Sequence, residues 1–217
     1  MTTELTQCPN CNTKIKSSLL TTIYFLSENK TETINEYQEK KHPAYCNKCG
    51  NDLYSSARQH VISERTELTE QMQEVIDSLP IVSTHLPLNW EYDIIGMVTG
   101  QSTTGAGAVT EFAMDFTNFW GGQSSRYNQK IKDGTNLCFA LLRKETLDLG
   151  GNAVIAADVD YSEVGGEKGM LMICATGTAV RLKNISVLGK DRQENIARLT
   201  EINDRLEELS SYNTEEQ

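Results

Sequence analysis

Apolar residues recur with a helical period in two parts of the 217-residue chain. From Ser55 to Leu79 there is no Gly or Pro, and apolar residues return every three or four positions. The same spacing returns from Asp191 to about Ser211, so the pattern predicts two amphipathic helices. Each stripe is narrow and bordered by charges, so each helix needs a partner in its own subunit or a neighbouring one. The stripe residues are Val61, Arg65, Leu68, Met72, Val75 and Leu79 in the first helix, and Ile196, Leu199, Ile202 or Asn203, Leu206 and Leu209 in the second.

The segment between these helices changes its period and predicts a small sheet. "YDIIGMVTG", "NAVIAADVDY" and "GMLMICATGTAVRL" are strand-like, and the second places Val159 and Tyr161 opposite Asp158 and Asp160. "VTEFAMDFTNFW" predicts a short helix, and a longer helix follows it and ends at "GGNAVI". The order strand, helices, strand, strand predicts an α+β layer in which helices cover one face of an antiparallel sheet. Because "LCFALL" in the longer helix is apolar all round, a neighbouring subunit is expected to cover part of it.

Four of the six cysteines stand in two C-x-x-C pairs, "CPNC" and "CNKC". Each pair is followed, four residues after its second Cys, by an aliphatic residue, Ile15 or Leu53, which predicts two similar facing turns. Gly50 suits the backbone strain of such a turn. Four thiolates around one ion are the structural zinc arrangement, so we expect one zinc per chain; iron, a redox dithiol or free thiols are the alternatives. The predicted ligands are Cys8, Cys11, Cys46 and Cys49.

Residues 1–54, which carry these pairs, resemble a zinc ribbon, a module that commonly serves interactions. The 34 residues between Cys11 and Cys46 are many for a minimal ribbon, so an elaborated hairpin or a small helix is expected there. The remaining cysteines, Cys138 and Cys174, lie in apolar runs and are expected to be buried structural residues.

Charge and composition exclude several classes of function. The net charge of −10, without a basic cluster, argues against nucleic acid as a partner. No run of 18 apolar residues exists to span a membrane, and the N-terminus lacks the features of a secretory signal, so a cytoplasmic location is expected. The glycine-rich "TTGAGAVTEF" has Ala106 where a P-loop needs Lys and Thr110 where a dinucleotide loop needs Gly or Ala. It is therefore interpreted as a close-packing turn near a subunit interface.

Three segments, "GMVTGQSTTGA", "GGQSSRYNQKI" and "LGGNAVIAADVDYSEVGGEKGMLMICATGTAV", together resemble the YbjQ family over about residues 81–182. The resemblance implies a dodecin-like β-α-β-β fold, a ring-shaped homopentamer and the family label of heavy-metal binding. No metal ligand is carried over to this domain, because its soft side chains lack ligand spacing. They are Cys138, Cys174, His85, Met97, Met114, Met170 and Met172. The acidic residues Asp158, Asp160 and Glu163 fit a solvated strand face better than a weak site for a hard cation.

These features predict four parts: a zinc-ribbon-like module (1–54), an amphipathic helix (55–80), a YbjQ-like domain (81–185) and a C-terminal helix and tail (190–217). No catalytic constellation is evident, so the expected function is a non-enzymatic oligomeric scaffold that presents zinc ribbons, or its helices, to a protein partner. The alternative is a metal or small-ligand binding protein that uses the ring channel or its interfaces. An enzyme with a site near Gly105–Glu111 and Arg126 is a third hypothesis with less support.

Overall fold

A computed structural model describes residues 5–17, 22–103, 127–164 and 170–212, with the backbone alone at 127–130, 163, 164 and 170. The glycine-rich stretch from residue 104, the short helix predicted over 109–120, Arg126 and the turn at 165–169 lie outside the described residues. The chain divides into two compact units, Met1–Leu68 with Arg205–Gln217, and Thr69–Asp204.

Five strands and four α-helices make up the described residues, with two short 3-10 helices at Ile76–Ser78 and Ile185–Leu188. The strands are β1 (Lys16–Ser17), β2 (Thr22–Ile23), β3 (Tyr92–Thr103), β4 (Ala153–Val164) and β5 (Met170–Leu182). The helices are α1 (Glu28–Glu36), α2 (Asn47–Val75), α3 (Tyr127–Asp148) and α4 (Lys190–Ser210).

In the first unit, the 34 residues between Cys11 and Cys46 form both of the predicted alternatives, a hairpin and a small helix. β1 and β2 pair as a short antiparallel hairpin, and α1 follows directly. α1 begins after Ser27, whose hydroxyl accepts a hydrogen bond from the Lys30 backbone N–H at 3.4 Å and so caps the helix. At its end Asn35 donates to the carbonyl of His42 and accepts from the N–H of His42, which returns the chain toward the second cysteine pair.

The second unit contains the predicted antiparallel sheet, with strand order β3-β5-β4. α3 lies on the face that includes Val98, Gly100 and Ile173, and it ends where Gly150 adopts a positive φ of 73°. Gly100 permits this packing because a Cβ there would lie 2.2 Å from the backbone carbonyl oxygen of Cys138 in α3. The α+β layer predicted from the order of elements is confirmed, including the alternation that exposes Asp158 and Asp160.

The two long helices bury part of their stripes: Val61, Met72 and Leu79 of the first stripe are buried, whereas Arg65 and Leu68 are half-buried. α4 matches its predicted span, and its residues Ile196, Leu199 and Leu209 are buried. α2 begins at Asn47, eight residues before the predicted start, because the second cysteine pair itself forms the first helical turn. Its stripe also shifts at the C-terminal end: Ile76, in the 3-10 helix, is buried, whereas Val75 is half-buried.

Candidate metal centre

The four predicted cysteine ligands converge on one point in the first unit. Cys8 and Cys11 come from the turn before β1, and Cys46 and Cys49 from the start of α2. Their sulfur atoms all lie within 4.8 Å of one another. Three of the sulfur–sulfur distances are 3.5 Å for Cys11–Cys46, 3.6 Å for Cys8–Cys49 and 3.7 Å for Cys46–Cys49.

These separations fit a single tetrahedral ion. A zinc–thiolate bond of about 2.3 Å in tetrahedral geometry places neighbouring sulfurs about 3.8 Å apart. The distances of 3.5, 3.6 and 3.7 Å fall slightly below that value. Four thiols from two segments therefore form a donor set that can close around one metal ion, with every tetrahedral position taken by protein.

The first cysteine pair is held by a tight turn. The N–H of Asn12 donates to the carbonyl of Cys8 at 2.8 Å, and the N–H of Cys8 donates to the carbonyl of Thr13 at 2.9 Å. Asn12 adopts a positive φ of 57°, the left-handed conformation that Asn tolerates better than most residues. The strained position of the site is thus Asn12 in the first turn.

The second cysteine pair is the N-terminal turn of α2, so the two knuckles differ in backbone structure. The Gly50 N–H donates to the carbonyl of Cys46 at 2.7 Å as a helical bond. The interpretation that Gly50 relieves backbone strain is wrong: it provides room, because a Cβ there would lie 2.5 Å from Cδ1 of Leu26. The Cys46 N–H also donates to the sulfur of Cys8 at 3.3 Å, which joins the two pairs directly.

A small apolar cluster lies beneath the thiols. It includes the buried Cys8 and Cys46, with Ile23 and the partly buried Ile15 and Phe25 packed against them. An apolar residue beneath each turn is expected from the spacing after the cysteine pairs, and Ile15 is in that position beneath the first pair. Leu53 is not a member of this cluster among the described residues, because α2 carries it past the site, and the hairpin supplies Ile23 and Phe25 instead.

The four thiols have different environments. Cys8 and Cys46 are buried, Cys49 is half-buried and Cys11 is exposed. Hydrogen bonding by the Thr13 hydroxyl and backbone lowers the pKa of the Cys11 thiol to about 6. Burial raises the pKa of the Cys49 thiol to about 12 and also raises the pKa of Cys46. Metal binding requires the thiolate form, so the ion must displace protons mainly from the α2 pair.

Sequence spacing missed the polar residues that orient these ligands. The Asn10 side-chain amide donates to the sulfur of Cys49 at 3.4 Å, and the Thr13 hydroxyl lies 3.1 Å from the sulfur of Cys11. Such partners of metal ligands tune the affinity of the site. Both lie within two residues of Cys11, but Asn and Thr are so common in turns that their presence carried no specific signal.

Elsewhere in the described residues, no further group of three His, Cys, Asp or Glu ligands converges. Cys138 is buried and donates to the carbonyl of Ile173 at 3.4 Å, while Cys174 is half-buried in β5. Asp158 and Asp160 are exposed on β4. None of the helices in the described ranges combines the length and apolarity that a membrane crossing needs.

Fold and site together define the class: a protein with a small antiparallel α+β domain and, in its other unit, a cluster of four thiols able to hold a metal ion. A family model described as "Putative heavy-metal-binding" (YbjQ) matches residues 81–183. A UPF0145 protein of Actinobacillus pleuropneumoniae serotype 5b is 32% identical over 109 residues, covering 50% of this chain and 99% of the relative. A UPF0145 protein of Clostridium botulinum (strain Eklund 17B / Type B) is 34% identical over 85 residues, covering 39% of this chain and 80% of the relative.

The chain therefore belongs to the YbjQ, or UPF0145, family, and the resemblance seen in the sequence is confirmed. Among solved structures, a DUF74-family protein of unknown function from Pediococcus pentosaceus matches 48% of this chain and 96% of its own, at 16% identity and a TM-score of 0.31. The family match begins at residue 81, so the four-cysteine cluster lies outside it.

Proposed function

We propose that this protein is a non-enzymatic oligomeric scaffold that presents a zinc-stabilised N-terminal module in several copies to a protein partner. The convergence of four thiols from two segments carries the proposal, because a site closed by protein ligands stabilises a fold and leaves no open position for catalysis. One zinc per chain would tie the turn before β1 to the start of α2. Reduced thiols of this kind fit the cytoplasm, where disulfides are rare.

The oligomer is proposed from the family resemblance, which implies a dodecin-like homopentameric ring, and from the surface of the second unit. Ile94 and Met97 on β3 are each 70% exposed, and β3 is an edge strand of 12 residues. A long apolar strand edge favours pairing with another chain. In α3, Leu137, Phe139 and Leu141 are only half-buried, which supports the expectation that a neighbouring subunit covers this helix.

The module is the surface proposed to meet the partner, because α2 and α4 already bury much of their apolar stripes within one chain. From Leu5 to Ser27 the sequence has no Asp or Glu, although the whole chain carries a net charge of −10. Lys14, Lys16 and Lys48 are exposed beside the cysteine pairs. These three lysines outnumber the net charge of −2 that four thiolates leave around a zinc ion, so they suit an acidic segment of a protein, whereas a long polyanion such as nucleic acid would meet the negative charge of the remaining chain.

Fluorescence anisotropy with a labelled oligoglutamate peptide tests this surface. We expect salt-sensitive binding to the full-length protein and a loss of at least about fivefold in affinity when Lys14, Lys16 and Lys48 are all changed to Gln. The matched control changes Lys183, Lys190 and Lys144 to Gln, which removes the same charge from the second unit. Equal effects of the two triple variants, or equal binding of an oligolysine peptide, would reject the module as the acidic-partner surface.

The second candidate function is binding of a metal or small ligand in the ring channel or at its interfaces, and the description of the family model favours it. Elemental analysis after titration with zinc, copper and nickel separates the two. Uptake that stops at one ion per chain supports the scaffold, and further uptake that survives Cys46→Ser places a second site in the family core.

A further inference from the structure

We propose that Cys11 is an oxidation site through which a peroxide opens the four-thiol cluster, linking Cys11 to Cys46 and releasing the metal. The inference rests on the proposed zinc site and adds a modification to it. It depends on two features of the cluster: one of its thiols faces solvent, and a sulfur of the opposite pair lies 3.5 Å from that thiol.

Access to the cluster is asymmetric. Cys11 is exposed, whereas Cys8 and Cys46 have no exposed surface and Cys49 is half-buried. The Thr13 hydroxyl lies 3.1 Å from the Cys11 sulfur and can donate to its thiolate. All four sulfurs of a zinc-loaded cluster are thiolates, so access decides which one reacts: an exposed thiolate meets oxidants and a buried one does not. A small oxidant therefore meets Cys11 first.

The sulfur positions also select the partner. The Cys46 sulfur lies 3.5 Å from that of Cys11, and the remaining pair, Cys8 and Cys49, lies 3.6 Å apart. Both of these pairs join the turn before β1 to the start of α2. Oxidation would thus exchange a metal link between the two segments for a covalent one, so the segments stay tied after the ion has left.

The reaction with hydrogen peroxide balances in two steps. The Cys11 thiolate attacks one peroxide oxygen, the O–O bond breaks, and a sulfenic acid forms at Cys11 while hydroxide leaves. The Cys46 thiolate then attacks the Cys11 sulfur, the S–O bond breaks, and a second hydroxide leaves as the disulfide forms. Two thiolates lose two electrons, and peroxide is reduced to two hydroxide ions. With two thiolates consumed, the donor set can no longer hold zinc.

Mass spectrometry of the full-length, zinc-loaded protein reads out the predicted bond. Trypsin cuts after Lys14, Lys41, Lys48 and Arg58, so Cys46 and Cys49 fall on different peptides while Cys8 and Cys11 share one. After brief treatment with limiting peroxide we expect the peptide of residues 1–14 linked to that of residues 42–48, and fragmentation assigns the bond to Cys11. A first bond at Cys8, or one between Cys46 and Cys49, overturns the proposal.

Zinc release, followed with a chromogenic chelator, supplies the second readout. Cys11→His keeps four ligands but removes the exposed thiol, so peroxide-driven release should slow by at least about tenfold. The matched variant, Cys174→Ser, removes a half-buried thiol that lies outside the cluster, and it should leave the release rate within about twofold of the parent. Equal slowing in both variants contradicts the role of Cys11; if Cys11→His fails to bind zinc, the disulfide mapping alone decides.

The two proposals fail in different ways. Purified protein without zinc refutes the structural zinc site itself. Protein that contains zinc and keeps it under peroxide, with Cys11 still reactive to an alkylating reagent, refutes only the oxidation site. Buried Cys138 serves as an internal standard, because it should remain unmodified in every sample until the protein is denatured.

Discussion

Thr13 shows how a single polar side chain sets the chemistry of the cluster. Its hydroxyl lies 3.1 Å from the Cys11 sulfur and stabilises the thiolate over the thiol, which lowers the pKa of Cys11 to about 6. At the proposed zinc site, protons compete with the ion for each thiolate, so the pH at which the site would lose its metal depends on these thiol pKa values.

Thr13→Val should therefore make zinc binding more sensitive to acid. Without the hydroxyl the pKa of Cys11 rises, protons compete at higher pH, and the midpoint of zinc loss moves up by about half a pH unit. The measurement is zinc retained after equilibration with a weak chelator between pH 4 and pH 8. Thr66→Val is the control, because the Thr66 hydroxyl bonds to the carbonyl of Ile62 on α2. An unchanged midpoint in Thr13→Val would contradict this role.

The identity of the four ligands could be predicted from the sequence because C-x-x-C spacing itself encodes a turn that points both sulfurs one way. The orienting residues could not. Asn10 reaches Cys49, 39 residues away, only after the hairpin and α1 have folded the chain back. The role predicted for Gly50 was wrong for a similar reason. Gly50 is needed because Leu26 leaves no space for a side chain, and no local sequence pattern connects Leu26 with Gly50.

At the scale of elements, the approach of α3 to β3 depends on a missing side chain. A Cβ on Gly100 would lie 2.2 Å from the backbone oxygen of Cys138, and backbone cannot swing aside as a side chain does. The pairing of β3 with β5 places Gly100 opposite Ala175, so small residues line this contact.

Gly100→Ala should destabilise the second unit by roughly 2 kcal/mol or more, because α3 must move off the sheet. Calorimetric unfolding of the zinc-loaded protein would show a lower Tm for that unit. Gly96→Ala is a matched control on the same strand, since nothing lies within 4 Å of its Cβ position. Equal effects at the two positions would mean that the close approach is not what Gly100 provides.

Within the first unit, the end of α4 is bound by a cluster of charges. Arg205 lies 2.8 Å from Glu36 on α1 and 2.7 Å from Glu64 on α2. Tyr37 donates to Glu64, and Tyr212 donates to Glu36. The hydrogen bond with Arg205 is the main cause of the lowered pKa of Glu64. At Glu36, burial raises the pKa, but hydrogen bonds from Arg205 and Tyr212 lower it, and the net shift is downward.

Arg205→Leu leaves both carboxylates without their cation and should cost about 1–3 kcal/mol at pH 7, discounted for partial exposure. A carboxyl whose folded pKa is lowered stabilises the fold above its unfolded pKa and loses that effect as pH falls through the folded value. The difference from the parent should therefore shrink below about pH 4. Urea unfolding at several pH values measures this difference in the free energy of unfolding. Arg198→Leu is the control, because Arg198 donates to the neutral side chain of Gln71. A penalty that persists at low pH would point to lost packing instead.

The elements themselves were largely predictable, because strand alternation and helical period reflect burial on one face. Both predicted long helices and all three long strands are present. The start of α2 was not predictable from the stretch without Gly or Pro, because the helix begins within the second cysteine pair and includes Gly50, which packs against Leu26 and Tyr45. Strand order also needs tertiary information: β5 lies in the centre although it is last in sequence.

For the whole molecule, the family match and the four-thiol cluster occupy different parts of the chain. In the proposed scaffold the core domain supplies the exposed β3 edge for assembly, and the first unit supplies the lysine-bearing surface beside the proposed metal site. Repeating a weak site on one assembly raises its effective affinity for a partner that carries several acidic segments. The account therefore depends on both properties occurring in one particle.

Native mass spectrometry of the full-length protein tests that dependence most directly, because it reports subunit number and bound metal together. The account predicts an oligomer, with a pentamer as the expected form, that carries one zinc per subunit and loses the zinc in Cys46→Ser while the subunit number stays unchanged. A monomer at micromolar concentration, or an oligomer without zinc, would contradict it.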